Sequence, residues 1–178
     1  MSFKIVLIGD AECGKTTFIA RHRTGEFLKT YNPTLGVEIS PLSLNTNRGR
    51  YTLNVWDCAG QDKFAELKSG YYIDADMALL FFDVSRKETY ERLGYHLANF
   101  RKMSRAPVLI CGNKVDMKNR QVKPSRILFP RQNNLAYFDI SAKSNYQYEC
   151  PFLYALRTFL RDPQVRFIEQ SPVLVSSL

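Results

Sequence analysis

A glycine-bearing loop between a strand and a helix is the feature that most constrains this chain. The apolar run FKIVLIG ends at Gly9, and residues 9–16 fit the pattern G-x-x-x-x-G-K-[S/T]. In such a loop the backbone N–H groups point into one concavity, and the following helix adds the positive end of its dipole. A chance match in a glycine turn is the alternative, but the flanking strand and helix patterns favour a phosphate-binding loop. Lys15 is then expected to reach the β- and γ-phosphates of a nucleotide, and the Thr16 hydroxyl to bind Mg²⁺.

Short apolar runs alternate with helix-like patterns along the rest of the chain, and several of the runs are apolar throughout, as strands covered on both faces are. The runs at 37–44 and 51–57 partly alternate and flank the turn sequence NTNRG, so they are predicted to form an antiparallel hairpin at a sheet edge. The predicted strands cover residues 3–9, 37–44, 51–57, 77–84, 107–114 and 136–141. Their order predicts a doubly wound α/β fold, with a mostly parallel six-stranded sheet, one antiparallel edge strand and helices on both faces.

Two helices are predicted between the later strands. The stretch 85–100 opens with Ser85 and Glu88 in the spacing of a capping box, and apolar residues then recur at helical spacing. The stretch 149–163 carries Pro151 near its first turn and is expected to stop at Asp162-Pro163. The aromatic residues on both stretches are expected to pack in the core.

Composition limits the classes of protein to which this chain can belong. A length of 178 residues fits one domain, and no stretch approaches the ~20 apolar residues of a membrane span. The start has no signal-peptide pattern, and the four cysteines form no CxxC pair, which indicates reduced thiols. The net charge of +8 would suit nucleic acid, anionic lipid or an acidic protein. Because the positive residues are scattered, a solvated basic surface is favoured.

Three further motifs follow predicted strands. In WDCAGQ, Asp57 could hold Mg²⁺ through water, Gly60 could offer its N–H to a γ-phosphate, and Gln61 could orient an attacking water. In NKVD, Asp116 could accept hydrogen bonds from the N1–H and exocyclic amine of guanine, whereas adenine would leave this carboxylate buried and unpaired. In SAK, at residues 141–143, backbone amides could meet guanine O6. Each motif alone could be an ordinary loop, but their places at the carboxyl ends of strands indicate one guanine-nucleotide site.

Together these motifs resemble those of the Ras-like small GTPases, and most closely the Ran-type branch of that family. Near-identical stretches carry the resemblance, and they cover residues 24–42, 46–49, 54–64, 70–73, 111–116 and 139–146. The resemblance implies a P-loop NTPase fold, with a G domain at 1–167 and a short tail at 168–178. It also implies that Thr34 binds Mg²⁺ and that Phe27 packs against the guanine.

The resemblance further implies a switch that binds GTP or GDP with Mg²⁺, hydrolyses GTP slowly, and works with an exchange factor and an activating protein. For the Ran-type branch it implies control of transport between nucleus and cytoplasm, a location in both compartments, and importin- or exportin-type carriers bound in the GTP state. Gln61 is the expected catalytic residue, and Thr16, Thr34 and Asp57 are the expected metal ligands. The expected nucleotide-binding residues are Gly9, Asp10, Ala11, Glu12, Cys13, Gly14, Lys15, Thr16, Thr17, Phe27, Tyr31, Thr34, Gly60, Asn113, Lys114, Asp116, Ser141, Ala142 and Lys143.

Two loop residues depart from the glycine-rich pattern of these relatives. The methyl group of Ala11 would lie near the γ-phosphate and Gln61, so we expect it to slow hydrolysis. Glu12 brings a carboxylate close to a polyphosphate, so its side chain is expected to point to solvent.

The sequence has no cysteine near Leu178 and no long acidic tail, so we expect no prenyl anchor and no membrane attachment. A monomer without direct nucleic-acid contacts is the expected state. Two alternatives stay open, namely a vesicle-traffic GTPase of Rab type and a GTP-binding module with impaired hydrolysis.

Overall fold

The computed structural model describes residues 1–27, 32–60 and 70–168, and within them one six-stranded sheet has the order β2-β3-β1-β4-β5-β6. Strand β2 pairs with β3 in antiparallel fashion at one edge, and all other neighbours are parallel. The strands are β1 (Ser2–Gly9), β2 (Val37–Thr46), β3 (Gly49–Cys58), β4 (Met77–Asp83), β5 (Val108–Asn113) and β6 (Ala136–Asp139). The predicted sheet is confirmed, including the hairpin. Pro41 lies on the edge strand β2, where a residue without an N–H is tolerated.

Helices cover both faces of the sheet, as predicted. They are α1 (Lys15–Thr24), α2 (Lys87–Glu91), α3 (Leu93–Met103), α4 (Phe129–Gln132) and α5 (Cys150–Leu160), with a 3-10 turn at Pro124–Arg126. Phe18 of α1 and Phe152 of α5 are fully buried on one face, and Leu93 and Phe100 of α3 on the other. Every residue of β4 and β5 is buried between the layers, which explains their continuous apolar runs. In the described ranges, no helix is long and apolar enough to cross a bilayer.

The structure departs in two ways from the single helix predicted over 85–100. That stretch is divided at Arg92 into α2 and α3, and Gly94 gives the start of α3 a low helix propensity. The predicted capping box is wrong, because no side chain caps α2. The Ser85 hydroxyl instead donates to Asp83 Oδ1 at 2.6 Å, and Glu88 accepts from Arg86 Nε at 3.0 Å. The Ser85 hydroxyl therefore bonds to the buried Asp83 carboxylate and does not cap the helix.

The last helix follows its prediction closely. Pro151 lies in the first turn of α5, where its missing N–H breaks no helical hydrogen bond. The helix ends at Leu160, and Arg161 takes the left-handed conformation with φ 51° directly before Asp162 and Pro163.

Parallel pairing brings the carboxyl ends of β1, β3, β4, β5 and β6 to one edge of the sheet. Each phosphate- or base-binding motif of the sequence lies at the end of one of these strands or directly after it. Ligands of open α/β sheets bind at this edge, so the topology alone gathers the predicted site.

His22 of α1 offers a test of how this face is packed. Its Nε2 donates to the Tyr148 carbonyl at 2.9 Å, and its ring lies 4.7 Å from that of Phe18 and 4.6 Å from that of Phe152. Burial lowers the pKa of His22 to about 4 although the hydrogen bond to Tyr148 raises it, so the ring is neutral in the folded protein.

We expect this histidine to make stability depend on pH. His22 takes up a proton near pH 6.5 in the unfolded chain but not in the folded chain. Its contribution to the unfolding free energy is therefore complete above pH 6.5 and is lost as pH falls toward 4. Between pH 7 and 5 the wild type should lose about 1–2 kcal/mol more unfolding free energy than His22→Phe. Urea unfolding of both proteins at several pH values measures this difference, and parallel pH profiles would contradict it.

Candidate nucleotide-binding site

A cleft of about 450 Å³ opens at the carboxyl ends of the parallel strands. This volume lies within the usual range for small-molecule sites. The predicted residues that line the cleft are Ala11, Glu12, Gly14, Lys15, Thr16, Thr17, Phe27, Thr34, Gly60, Asn113, Lys114, Asp116, Ala142 and Lys143. Motifs from opposite ends of the chain therefore share one cavity.

Four of the predicted nucleotide-binding residues that the structure describes do not line the cleft. Gly9 ends β1, and the Cys13 carbonyl accepts a hydrogen bond from Asn113. The Asp10 carboxylate faces α3, where Nε2 of His96 lies 2.8 Å from Oδ1, while Ser141 supports Asp116. Burial opposes ionisation of Asp10, but the hydrogen bond to His96 and the charges of His96 and Arg92 leave its pKa lowered. Tyr31 and Gln61 lie outside the described residues, so their roles stay predictions.

The phosphate loop, residues 9–16, is held in place by the NKVD segment. Gly14 has φ +89°, and a Cβ there would lie 2.3 Å from Asn113 Nδ2, so only glycine permits this approach. Asn113 Nδ2 donates to the Cys13 carbonyl at 2.9 Å, and Lys114 Nζ donates to the Glu12 carbonyl at 2.6 Å. The phosphate end and the base end of the cleft therefore form one connected unit.

Lys15 places a buried cation at the base of the loop. Its Nζ donates to the carbonyls of Gly9 and Asp10 at 2.9 and 2.8 Å, and the residue is 6% exposed. Both partners are neutral, and burial lowers the pKa of Lys15. Helix α1 also begins here, with Gly14 at its N-cap and no acidic residue in its first turn. The free N–H groups and the cation together suit an anion.

The predicted metal ligands meet at the side of the cleft. The Thr16 hydroxyl donates to Asp57 Oδ2, which also accepts from Thr34 Oγ1 at 3.4 Å, and the two hydroxyls lie 3.0 Å apart. Among the described residues, Asp57 Oδ1 is buried without a hydrogen-bond partner, and burial raises the pKa of this carboxyl group.

This donor set fits Mg²⁺. The cation would bind Asp57 Oδ1, which has no hydrogen-bond partner within residues 1–27, 32–60 and 70–168. In proteins Mg²⁺ is commonly held by one or two carboxylates together with substrate phosphates. In the described ranges, no group of three or more His, Cys, Asp or Glu residues could hold a metal. A site with one carboxylate and two hydroxyls is consistent with a metal that depends on the nucleotide for further ligands.

The other end of the cleft carries the predicted base-binding carboxylate. Ser141 Oγ donates to Asp116 Oδ1 at 2.6 Å and itself accepts the Ser144 N–H at 3.0 Å. One carboxylate oxygen is thereby fixed in orientation. Phe27 and Ala142 line the same cleft, so the walls supply apolar surface around a fixed acceptor.

Several residues of the site were not anticipated from the sequence. Pro33, Ser85 and Met117 also line the cleft. Asp83 is 1% exposed and its Oδ2 lies 2.8 Å from Lys114 Nζ, so it positions that lysine. The signal for Asp83 was present, since it is a carboxylate at the end of an apolar strand, as Asp57 is.

Ala11 and Glu12, the two residues that depart from the glycine-rich loop pattern, each contact a neighbouring residue. The Glu12 side chain is 59% exposed, as predicted, but it also pairs with Arg86 at 3.5 Å. Ala11 lies against Gly60, because a Cβ built on Gly60 would be 2.2 Å from the Ala11 nitrogen. Gly60 therefore contacts the phosphate loop at Ala11.

Comparison with known families decides the class of protein. A model of the Ras family matches residues 4–161, which include the phosphate loop, the three predicted metal ligands and the NKVD and SAK motifs. The chain belongs to the Ras family. Its domain is that of a GTP-binding small GTPase switch, and Ras-family proteins bind GTP or GDP with Mg²⁺ and generally work with exchange factors and activating proteins. The six-stranded sheet agrees with the P-loop NTPase fold of this family.

We expect Asp57→Asn in this Ras-family protein to separate stability from metal dependence. The neutral amide removes a buried charge, so the nucleotide-free variant should be about 1 kcal/mol more stable to urea. Removing Mg²⁺ with EDTA should speed the release of bound GDP about tenfold or more in the wild type and hardly at all in the variant.

Glu91→Gln is the matched control, because it also turns a carboxylate into an amide, but Glu91 is 57% exposed and pairs with Lys87 on the surface of α2. It should behave like the wild type in both assays. Equal acceleration by EDTA in Asp57→Asn and the wild type would refute the assignment of Asp57 to the metal.

Proposed function

We propose that the cleft binds GTP and GDP with Mg²⁺ and that the protein is a Ran-type switch for transport between nucleus and cytoplasm. One observation carries the nucleotide assignment. A buried cation at Lys15 and a fixed carboxylate at Asp116 line the same cavity, and beside it lies an Asp57 oxygen that has no partner in the part of the chain that the structure describes. That arrangement provides for a phosphate chain, a metal ion and a base with paired N–H donors.

The base end is the source of specificity. Ser141 occupies Asp116 Oδ1 and fixes the plane of the carboxylate, which would then accept the two N–H donors on one edge of guanine. Adenine has neither donor at the corresponding positions and would leave a desolvated charge unpaired, which is a larger penalty than one lost contact.

The phosphate end is the source of switching. Thr34 and Gly60 both line the cleft there, and they belong to two segments separate from the phosphate loop. Mg²⁺, when bound, neutralises charge on the phosphates. Loss of the γ-phosphate would remove a binding partner of Thr34 and Gly60, and both segments would relax. A protein that binds only the GTP-bound arrangement of these segments would then dissociate.

Hydrolysis is proposed to be slow and to require an activating protein. Gln61 is the residue proposed to orient the attacking water. Ala11 lines the cleft, and its backbone lies against Gly60, directly before that residue. Its methyl group is therefore proposed to restrict the space in which a water would be positioned. Such crowding would favour the second candidate, a GTP-binding module with impaired hydrolysis.

Replacing Ala11 by glycine tests this point. Removing the methyl group should raise the single-turnover rate of GTP hydrolysis about tenfold, since small displacements at a reacting centre have large effects. Ala98→Gly makes the same chemical change at an exposed position of α3, outside the residues that line the cleft, and should leave the rate unchanged. An unaltered rate in Ala11→Gly would remove the steric explanation.

The transport role is supported by the Ran-type stretches of the sequence and by the net charge of +8, which suits acidic protein partners. We propose importin- or exportin-type carriers as these partners and a location in both nucleus and cytoplasm.

A pull-down tests the transport proposal. Protein loaded with a non-hydrolysable GTP analogue should bind importin-type carriers, and protein loaded with GDP should not. Equal binding in the two states would contradict the proposal. Recruitment to vesicle membranes in the GTP state, without carrier binding, would replace it by the Rab-type alternative.

A further inference from the structure

Glu12 occupies a position in the phosphate loop that requires support. It is a non-glycine residue in the left-handed region, with φ 63°, a conformation that persists only where surrounding contacts hold it. It also places a carboxylate on the loop that the proposed function assigns to a polyphosphate. Neighbouring groups must therefore fix the backbone and offset the negative charge.

Arg86 supplies both kinds of support on one side. Its Nη1 donates to the Ala11 carbonyl at 3.3 Å and lies 3.5 Å from Glu12 Oε2. Its Nε donates to Glu88 Oε1 at 3.0 Å, which orients the guanidinium toward the loop. A planar guanidinium can serve a main-chain carbonyl and two carboxylates together, which a lysine ammonium does less well.

Lys114 supports the other side of the same residue. Its Nζ donates to the Glu12 carbonyl at 2.6 Å and pairs with Asp83 at 2.8 Å. Asp83 and Arg86 both belong to residues 83–88, which begin at the last residue of β4, and we name this stretch the brace. Within it, Ser85 lines the nucleotide cleft. The brace therefore reaches the phosphate loop directly through Arg86 and indirectly through Lys114.

We propose that Arg86 is a positioning residue of the nucleotide site, which holds the Ala11–Glu12 turn in shape and balances the Glu12 charge beside the phosphates. The inference rests on the proposed function, since it concerns nucleotide bound in that cleft. Arg86 acts through the loop and slows nucleotide release. Glu12 is then tolerated in the loop because Arg86 is present.

The test is the release of a fluorescent N-methylanthraniloyl GDP, in Mg²⁺ with excess unlabelled GDP as a chase. Arg86→Ala should release it roughly fivefold faster than the wild type, because a partly exposed ion pair and a hydrogen bond contribute modestly. Arg86→Lys keeps the positive charge but loses the planar guanidinium, so its release rate should lie between those of the wild type and Arg86→Ala. Lys87→Ala is the matched control, since Lys87 pairs with Glu91 at 2.8 Å on the exposed surface of α2 and should leave the rate unchanged.

A double-mutant cycle with Glu12→Ala distinguishes this role from a general loss of structure. If Arg86 balances Glu12 beside the phosphates, the effect of Arg86→Ala should shrink about twofold or more in the Glu12→Ala background, and this coupling should exceed the one that the Arg86–Glu12 pair contributes to unfolding of the nucleotide-free protein. Additive effects on release, or a rate for Arg86→Ala equal to that of Lys87→Ala, would overturn the inference. A wild type that does not bind the labelled GDP would instead overturn the proposed function, before any variant is compared.

Discussion

The hydrogen bond from the Asn113 amide to the Cys13 carbonyl connects the two ends of the cleft. Gly14 permits it, because any Cβ there would collide with that amide. Lys114 adds a second connection at Glu12, so the loop for phosphate and the segment for the base are positioned against each other. A ligand that fits one end is thereby presented to the other at a defined distance, which is the requirement for recognising a nucleotide as a single object.

The charged groups of the site form hydrogen bonds to neutral groups of the protein. Lys15 is buried against neutral carbonyls, Asp57 keeps one oxygen without a partner among the described residues, and Asp116 has one oxygen fixed by Ser141. Such groups lower the stability of the free protein and raise the gain on binding. Burial lowers the pKa of Lys15 and raises the pKa of Asp57, which shows that both charged forms are disfavoured in the free protein. A ligand with phosphates and a metal ion would stabilise these charged forms.

The sheet and most of the cleft follow from local sequence, since apolar runs define the strands and parallel pairing then gathers their carboxyl ends. Asp57 and Asp116 could be predicted because each lies at or directly after a strand end. Contacts between distant side chains could not. The spacing of Ser85 and Glu88 predicts a cap, yet Asp83 accepts the Ser85 hydroxyl. The pairing of Arg86 with Glu12 joins exposed residues that no periodicity relates, and it depends on where β4 ends beside the loop.

The central claim is that one cleft holds the phosphates through the loop around Lys15 and chooses the base through Asp116. Calorimetric titration of the nucleotide-free protein with GDP and with ADP, in Mg²⁺, tests it most directly. The two ligands present the same phosphates and differ in the base. We expect GDP to bind about a thousandfold or more tightly than ADP, because adenine leaves the carboxylate unpaired. Equal affinities for the two nucleotides would contradict it.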